Sequence, residues 1–213
     1  NSTSQNERLI SVDTDKFIVT FSTLGGQISS LELKDHLNYL GNPINLIKSD
    51  NSSFDLDFTT KNGRKFNTKD QKFISSLIDQ GDVKKVSMKL VVSEDVFIEY
   101  LYSININDYI IELDIKSRGF YNILDTTQKY NLNWELSAFR NSKSISYENR
   151  YSYMTYYHDE DKIDYLSISG DDEDEEDDVN WISFKQHFFS SVLISENSKP
   201  FKNVELKSED LVQ

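Results

Sequence analysis

From Val96 to Ile106 every second residue is large and apolar: Val96, Ile98, Tyr100, Tyr102, Ile104 and Ile106. A strand gathers all six on one face of a sheet, whereas a helix scatters them around its circumference. The same period of two recurs elsewhere. Phe54, Leu56 and Phe58 alternate with Asp55, Asp57 and Thr59, Tyr130, Leu132, Trp134 and Leu136 alternate with Asn and Glu, and Phe17, Val19 and Phe21 repeat the theme. These are patterns of half-buried antiparallel strands. Turn chemistry lies between them. Asn107-Asp108 separates the long run from Ile110–Lys116, Ser93-Glu94-Asp95 precedes it, Asn62-Gly63 suits a hairpin, and Gly25-Gly26 interrupts two runs where backbone without a Cβ can adopt conformations closed to other residues. The expectation is an all-β chain, a sandwich or barrel. Two segments fit more than one period, Asp70–Asp79 and Trp181–Phe189, and a strand with an irregular entry that carries its alternation through to Ser195 is favoured for the second.

Composition narrows function more than fold. The chain has 213 residues, no Cys, two Pro and seven Gly, which excludes disulfide frameworks, Cys-bearing zinc sites and thiol nucleophiles. A formal charge of -13 argues against a nucleic-acid surface, because phosphate binding needs a concentrated basic face. No run approaches the roughly 20 apolar residues of a membrane-spanning helix. The chain begins at Asn1 without a signal-like segment, and the expectation is a processed or excised piece. More than half of the charge excess stands in one run of eight acidic residues, Asp171–Asp178. Like charges in a row repel, so a solvated loop is expected, with a calcium site as the alternative; the run lacks the Gly-punctuated spacing that curls a loop around an ion.

Signatures of chemistry are absent at the level of motifs. There is no phosphate-cradling Gly loop, nucleophile elbow or His-Glu-x-x-His, and no catalytic residue, cofactor or metal ligand is assigned. Of three histidines, His158 stands beside Asp159, Glu160 and Asp161, where an exposed hairpin position is expected and a proton or metal site is the sharper reading. His187 reads as a structural histidine. The aromatic cluster Tyr147, Tyr151, Tyr153, Tyr156 and Tyr157 offers flat faces with hydroxyl tips. Tyr151, Tyr153 and Tyr156 are the candidate lining of a sugar or peptide groove, and ordinary sheet packing is the alternative.

Two segments carry a resemblance. Thr14–Lys34, TDKFIVTFSTLGGQISSLELK, and Val179–Ser195, VNWISFKQHFFSSVLIS, resemble the opening hairpin and the Trp-x-x-x-Lys-Gln-x-Phe-Phe segment of the large periplasmic domain of YidC-type membrane protein insertases. Glu148–Tyr151 falls where that family often has a comparable polar-aromatic stretch. The resemblance implies a β-supersandwich of two large antiparallel sheets, similar to galactose mutarotases. It implies a single domain over residues 1–213, without its last strands and connecting helix, periplasmic and tethered to the inner membrane of a Gram-negative bacterium. It implies a non-catalytic interaction or positioning module for membrane protein insertion and folding. Sec translocon subunits and nascent membrane proteins are the implied partners, and membrane contact is made by segments outside this chain. The functional Arg of the membrane core has no counterpart here, and the acidic run is expected to be a lineage-specific loop. A carbohydrate-binding or mutarotase-like protein is the alternative, on fold analogy alone.

Overall fold

The computed structural model describes residues 7–48, 50–159, 161–196 and 199–209. Its contacts group the chain into two compact units: 1–36 with 43–137, and 37–42 with 138–213.

The first unit is built from eleven strands. These are β1 (Leu9–Asp13), β2 (Phe17–Ser22), β3 (Ile28–Leu37), β4 (Pro43–Lys48), β5 (Ser52–Thr59), β6 (Lys65–Asn67), β7 (Ile74–Gln80), β8 (Val83–Ser93), β9 (Val96–Asn105), β10 (Ile111–Arg118) and β11 (Asn131–Leu136). They form sheets of order β1-β2-β3-β4, β10-β9-β8-β7 and β11-β5-β6. Neighbours in the meanders pair antiparallel, as in β8 with β9 from Val83↔Asn105 to Ser93↔Val96. The all-β class expected from the alternation is therefore observed, divided over several antiparallel sheets.

β9 shows why. Ile98, Tyr100, Tyr102 and Ile104 are all buried, together with Val86, Met88 and Leu90 of β8, so the apolar row of each strand enters one core. Facing it are Phe17, Val19 and Phe21 of β2. The Phe21 and Tyr102 rings stand 4.7 Å apart, and those of Phe73 and Tyr100 5.1 Å. Each fully buried aromatic side chain contributes about 1.5–3 kcal/mol relative to exposure. A buried tyrosine also needs a partner for its hydroxyl. Tyr100 Oη pairs with Thr68 Oγ1 at 3.0 Å, and Tyr102 Oη donates to the Gly26 carbonyl at 2.9 Å. Burial pushes the Tyr100 phenol up to about 12, against the opposing pull of the Thr68 hydrogen bond, and pushes Tyr102 higher still.

That second hydrogen bond ends on the Gly25-Gly26 turn, where both residues must be glycine for backbone and steric reasons. Both residues take left-handed φ, +76° and +67°. At Gly26 the Phe73 ring lies where a side chain would begin, 2.8 Å from an ideal Cβ position. Gly63 supplies the hairpin between β5 and β6 as expected, at φ +78°. Asn107-Asp108 also turns the chain, by way of an Asp108 N–H bond to the Asn105 carbonyl, but without positive φ.

β5 departs from the simple half-buried pattern. Asp55, expected to face solvent opposite its phenylalanine neighbours, is buried. It accepts from the side-chain amides of Asn67 at 2.7 Å and Asn133 at 2.9 Å, so its desolvation is offset by two donors from the flanking strands.

The second unit contains the short helix α1 (Ile145–Arg150) and six strands: β12 (Tyr153–His158), β13 (Lys162–Ser167), β14 (Asp172–Glu176), β15 (Trp181–Lys185), β16 (Ser190–Ile194) and β17 (Val204–Ser208). One sheet has the order β13-β12-β15-β16, and β14 pairs with β17. Met154, Tyr156, Leu166, Val179 and Leu206 form its core. Two expectations change here. The segment from Trp181 is a hairpin, not one strand running through to Ser195: Gln186 donates its N–H to the Phe189 carbonyl, which folds β16 back so that Trp181 faces Ile194. The acidic run is not a loop, because five of its residues make β14 and pair with β17 from Asp172↔Ser208 to Glu176↔Val204.

Candidate functional site

Two places in the second unit concentrate polar and aromatic chemistry. The first follows from strand alternation on β12, which turns Met154, Tyr156 and His158 inward and Tyr153, Thr155 and Tyr157 outward. β14 obeys the same rule with carboxylates alone. Asp174 and Glu176 are partly buried while Glu173 and Glu175 are exposed. The inward acids meet the inward face of β12. Tyr156 donates a short hydrogen bond to Asp174 Oδ2. Burial above all pushes the Tyr156 phenol up, reinforced by that bond and by the negative charges of Asp174, Asp164 and Glu176.

Beside it His158 is 3% exposed, contrary to the exposed hairpin position expected. Its Nδ1 lies 3.1 Å from Glu176 Oε2 and 3.7 Å from Asp159 Oδ2, and its Nε2 lies 3.5 Å from Asp164 Oδ2. Neither ring nitrogen makes a hydrogen bond among the described residues, although the Glu176 distance alone would allow one. Asp159 reaches the imidazole because its backbone turns left-handed at φ +48° directly after the strand. Its carboxylate also receives Lys162 Nζ at 2.9 Å, and that partner holds Asp159 below the usual carboxylate range. Glu160 lies outside the described residues. Sequence proximity pointed at Asp159, Glu160 and Asp161, of which Asp159 lies against the ring; Asp164 and Glu176 arrive from β13 and β14, and no local spacing announces them.

The second place surrounds α1. Ser144 caps the helix by accepting the Tyr147 N–H, and Glu148 is buried with Oε2 accepting the N–H groups of Asn141 and Ser142. Tyr147 and Tyr151 stack at 6.4 Å, Tyr151 and His187 at 4.9 Å, and His187 and Phe188 at 3.9 Å, which makes a partly exposed aromatic row. His187 Nδ1 is within 3.2 Å of Ser142 Oγ, in keeping with a structural role.

The candidate groove residues are placed as follows. Tyr151 belongs to this aromatic row. Tyr153 lies on the outward face of β12 against Tyr165, ring centroids 5.2 Å apart. Tyr156, 1% exposed, belongs to the core on the opposite face. Three residues of separation on a strand reverse the side-chain direction. The structure thus brings Tyr151 together with Tyr147 and His187, not with Tyr156.

The segments that carried the resemblance occupy defined positions: Gly25-Gly26 makes the turn between β2 and β3, and Lys185-Gln186 with Phe188-Phe189 makes the end and turn of the β15–β16 hairpin. A family model described as the YidC periplasmic domain matches residues 9–213. The chain belongs to the YidC periplasmic domain family. Proteins named membrane protein insertase YidC are similar to it in several bacteria. That of Bacteroides fragilis strain YCH46 is 30% identical over 210 residues, covering 98% of this chain and 33% of the relative. That of Azobacteroides pseudotrichonymphae is 26% identical over 212 residues, 99% of this chain and 34% of the relative. That of Chlorobaculum parvum is 26% identical over 200 residues, 89% of this chain and 34% of the relative. The chain spans about a third of the length of these curated YidC relatives. A periplasmic setting agrees with the family's description, and among the described residues no helix is long and apolar enough to cross a membrane.

Proposed function

We propose that this chain is the periplasmic module of an inner-membrane protein insertase and that it acts by binding and positioning extended segments rather than by bond chemistry. The observation that carries the reading is the family match over residues 9–213, joined to relatives that bear the insertase name. Nothing among those names favours the carbohydrate-active alternative.

The element best suited to the role is β7. Among the described strands it pairs with β8 alone, so its other edge leaves backbone donors and acceptors open. Ile74, Leu77 and Ile78 are exposed along it, offering apolar contacts to a segment that adds as a further strand. Membrane protein substrates are the first class of partner for such an edge, and Sec translocon subunits the second.

A photoreactive residue at Ile78 in the complete parent insertase tests this reading. Adducts with a nascent membrane protein or a translocon subunit are expected, and removal of the domain is expected to slow insertion. An Ile78 probe that yields no adduct, with insertion unchanged after the deletion, would reduce the chain to a spacer.

A further inference from the structure

We propose that His158, Asp159 and Glu176 form a binding site for one divalent transition-metal cation of the zinc type, with Asp164 orienting the histidine. The inference is independent of the insertase reading. One ligand atom from each of the three residues lies within 4.8 Å of the others, a spread that small side-chain movements contract to the separations of a coordination shell. Acidic clusters alone are common on surfaces. What distinguishes this one is the imidazole at its centre, buried on the inward face of β12 with both nitrogens lacking a hydrogen bond. Buried polar atoms are almost always satisfied, yet both ring nitrogens lie close to carboxylates without the alignment of a hydrogen bond, an arrangement that a cation on the Nδ1 side would complete.

The two nitrogens have different surroundings, and the difference matches a metal site. Nδ1 faces two carboxylates, Glu176 at 3.1 Å and Asp159 at 3.7 Å, where a cation would be shared among three donors. Nε2 faces the single carboxylate of Asp164 at 3.5 Å. A histidine that binds metal through one nitrogen commonly donates the other N–H to a carboxylate, which sets the tautomer and the ring orientation. An imidazole with two carboxylates suits zinc and its neighbours; calcium and magnesium prefer shells made of oxygen. The Lys162 ammonium, 2.9 Å from Asp159 Oδ2, is the one described cation at the site and would give up or share that oxygen. A bound ion would tie β14 to the end of β12 and neutralise part of the charge gathered on the acidic strand.

Calorimetric titration of zinc chloride into the 213-residue chain tests the proposal. One equivalent is expected, and calcium chloride is expected not to displace it. His158→Gln should lose that equivalent, Asp164→Asn should weaken it about 10-fold, and Glu173→Gln or Glu175→Gln, on the outward face of β14, should leave it unchanged. Undiminished zinc binding by a folded His158→Gln variant, or displacement by calcium, would show diffuse charge at work and overturn the site. Should that variant fail to fold, the imidazole resonances of His158 in the unmutated chain decide: a zinc-induced shift at Nδ1 supports the site, and none refutes it.

Discussion

Replacing Gly26 with alanine separates two reasons for a glycine in the β2–β3 turn. The first is conformational. At φ +67° an alanine adopts the left-handed region at a cost of roughly 1–2 kcal/mol. The second is steric, since the new methyl would begin 2.8–2.9 Å from three carbons of the Phe73 ring. Phe73 is buried and packs tilted against Tyr100, so the ring has little room to retreat, and overpacking of this kind costs about 1–3 kcal/mol more. Together the loss is about 2–5 kcal/mol. Gly63→Ala supplies the control, because Gly63 has φ +78° and nothing within 4 Å of an added Cβ. Only the conformational part, roughly 1–2 kcal/mol, applies there. Urea unfolding followed by tryptophan fluorescence measures both. The two tryptophans fall one in each unit, Trp134 in the first and Trp181 in the second, so a Trp181→Phe background makes the signal report the unit that holds both glycines. If the two alanine variants agreed within about 0.5 kcal/mol, the Phe73 contact would not be what demands glycine at position 26.

Alkali should destabilise the first unit through Tyr100. Its folded value of about 12 stands above the ordinary phenol value, so the stabilisation is complete below pH 10 and is lost as pH rises toward 12, about 3 kcal/mol in all; Tyr100→Phe should flatten that part of a stability-against-pH curve, and an unchanged slope would contradict the assignment. Asp55→Ala should cost about 1–3 kcal/mol by leaving the Asn67 amide without its acceptor, whereas Asn133 keeps Asp57 at 2.9 Å; thermal unfolding with no loss would mean that water replaces the carboxylate. Glu175 stands directly opposite Glu205 in the β14–β17 pair, a like-charge placement that disfavours pairing. Glu175→Lys should raise the melting temperature of the second unit at low salt and less at high salt, and a decrease at low salt would speak against this register.

The elements that were legible in the sequence are those whose apolar rows face a single core. Val96–Ile106 reads as a strand because its even positions are all large and apolar, and Ile98 to Ile104 are buried in that pattern. Gly25-Gly26 and Asn62-Gly63 announce their turns by residue type. The division near Ser137 leaves no trace in composition. The turn of the β15–β16 hairpin was hidden because Gln186 to Phe189 contains neither Gly nor Pro. β14 was hidden for a stronger reason: acids are poor strand formers and repel in a row, and it is tertiary partners, among them β17 and Tyr156, that bring them into a sheet. The candidate site suffered the same way. Nothing local connects His158 with Asp164 and Glu176, whereas Tyr156 looked available until the face of β12 was known.

The pairing of β14 with β17 has a consequence for the order in which the chain is made. The acidic strand is synthesised before Val204–Ser208, its only strand partner among the described residues, while every residue of the first unit precedes both. Until that partner emerges, mutual repulsion keeps the newborn acidic segment hydrated and apart from the apolar edges already present. Charge that burdens the finished sheet thus disfavours premature pairing of the acidic segment before its partner strand is present.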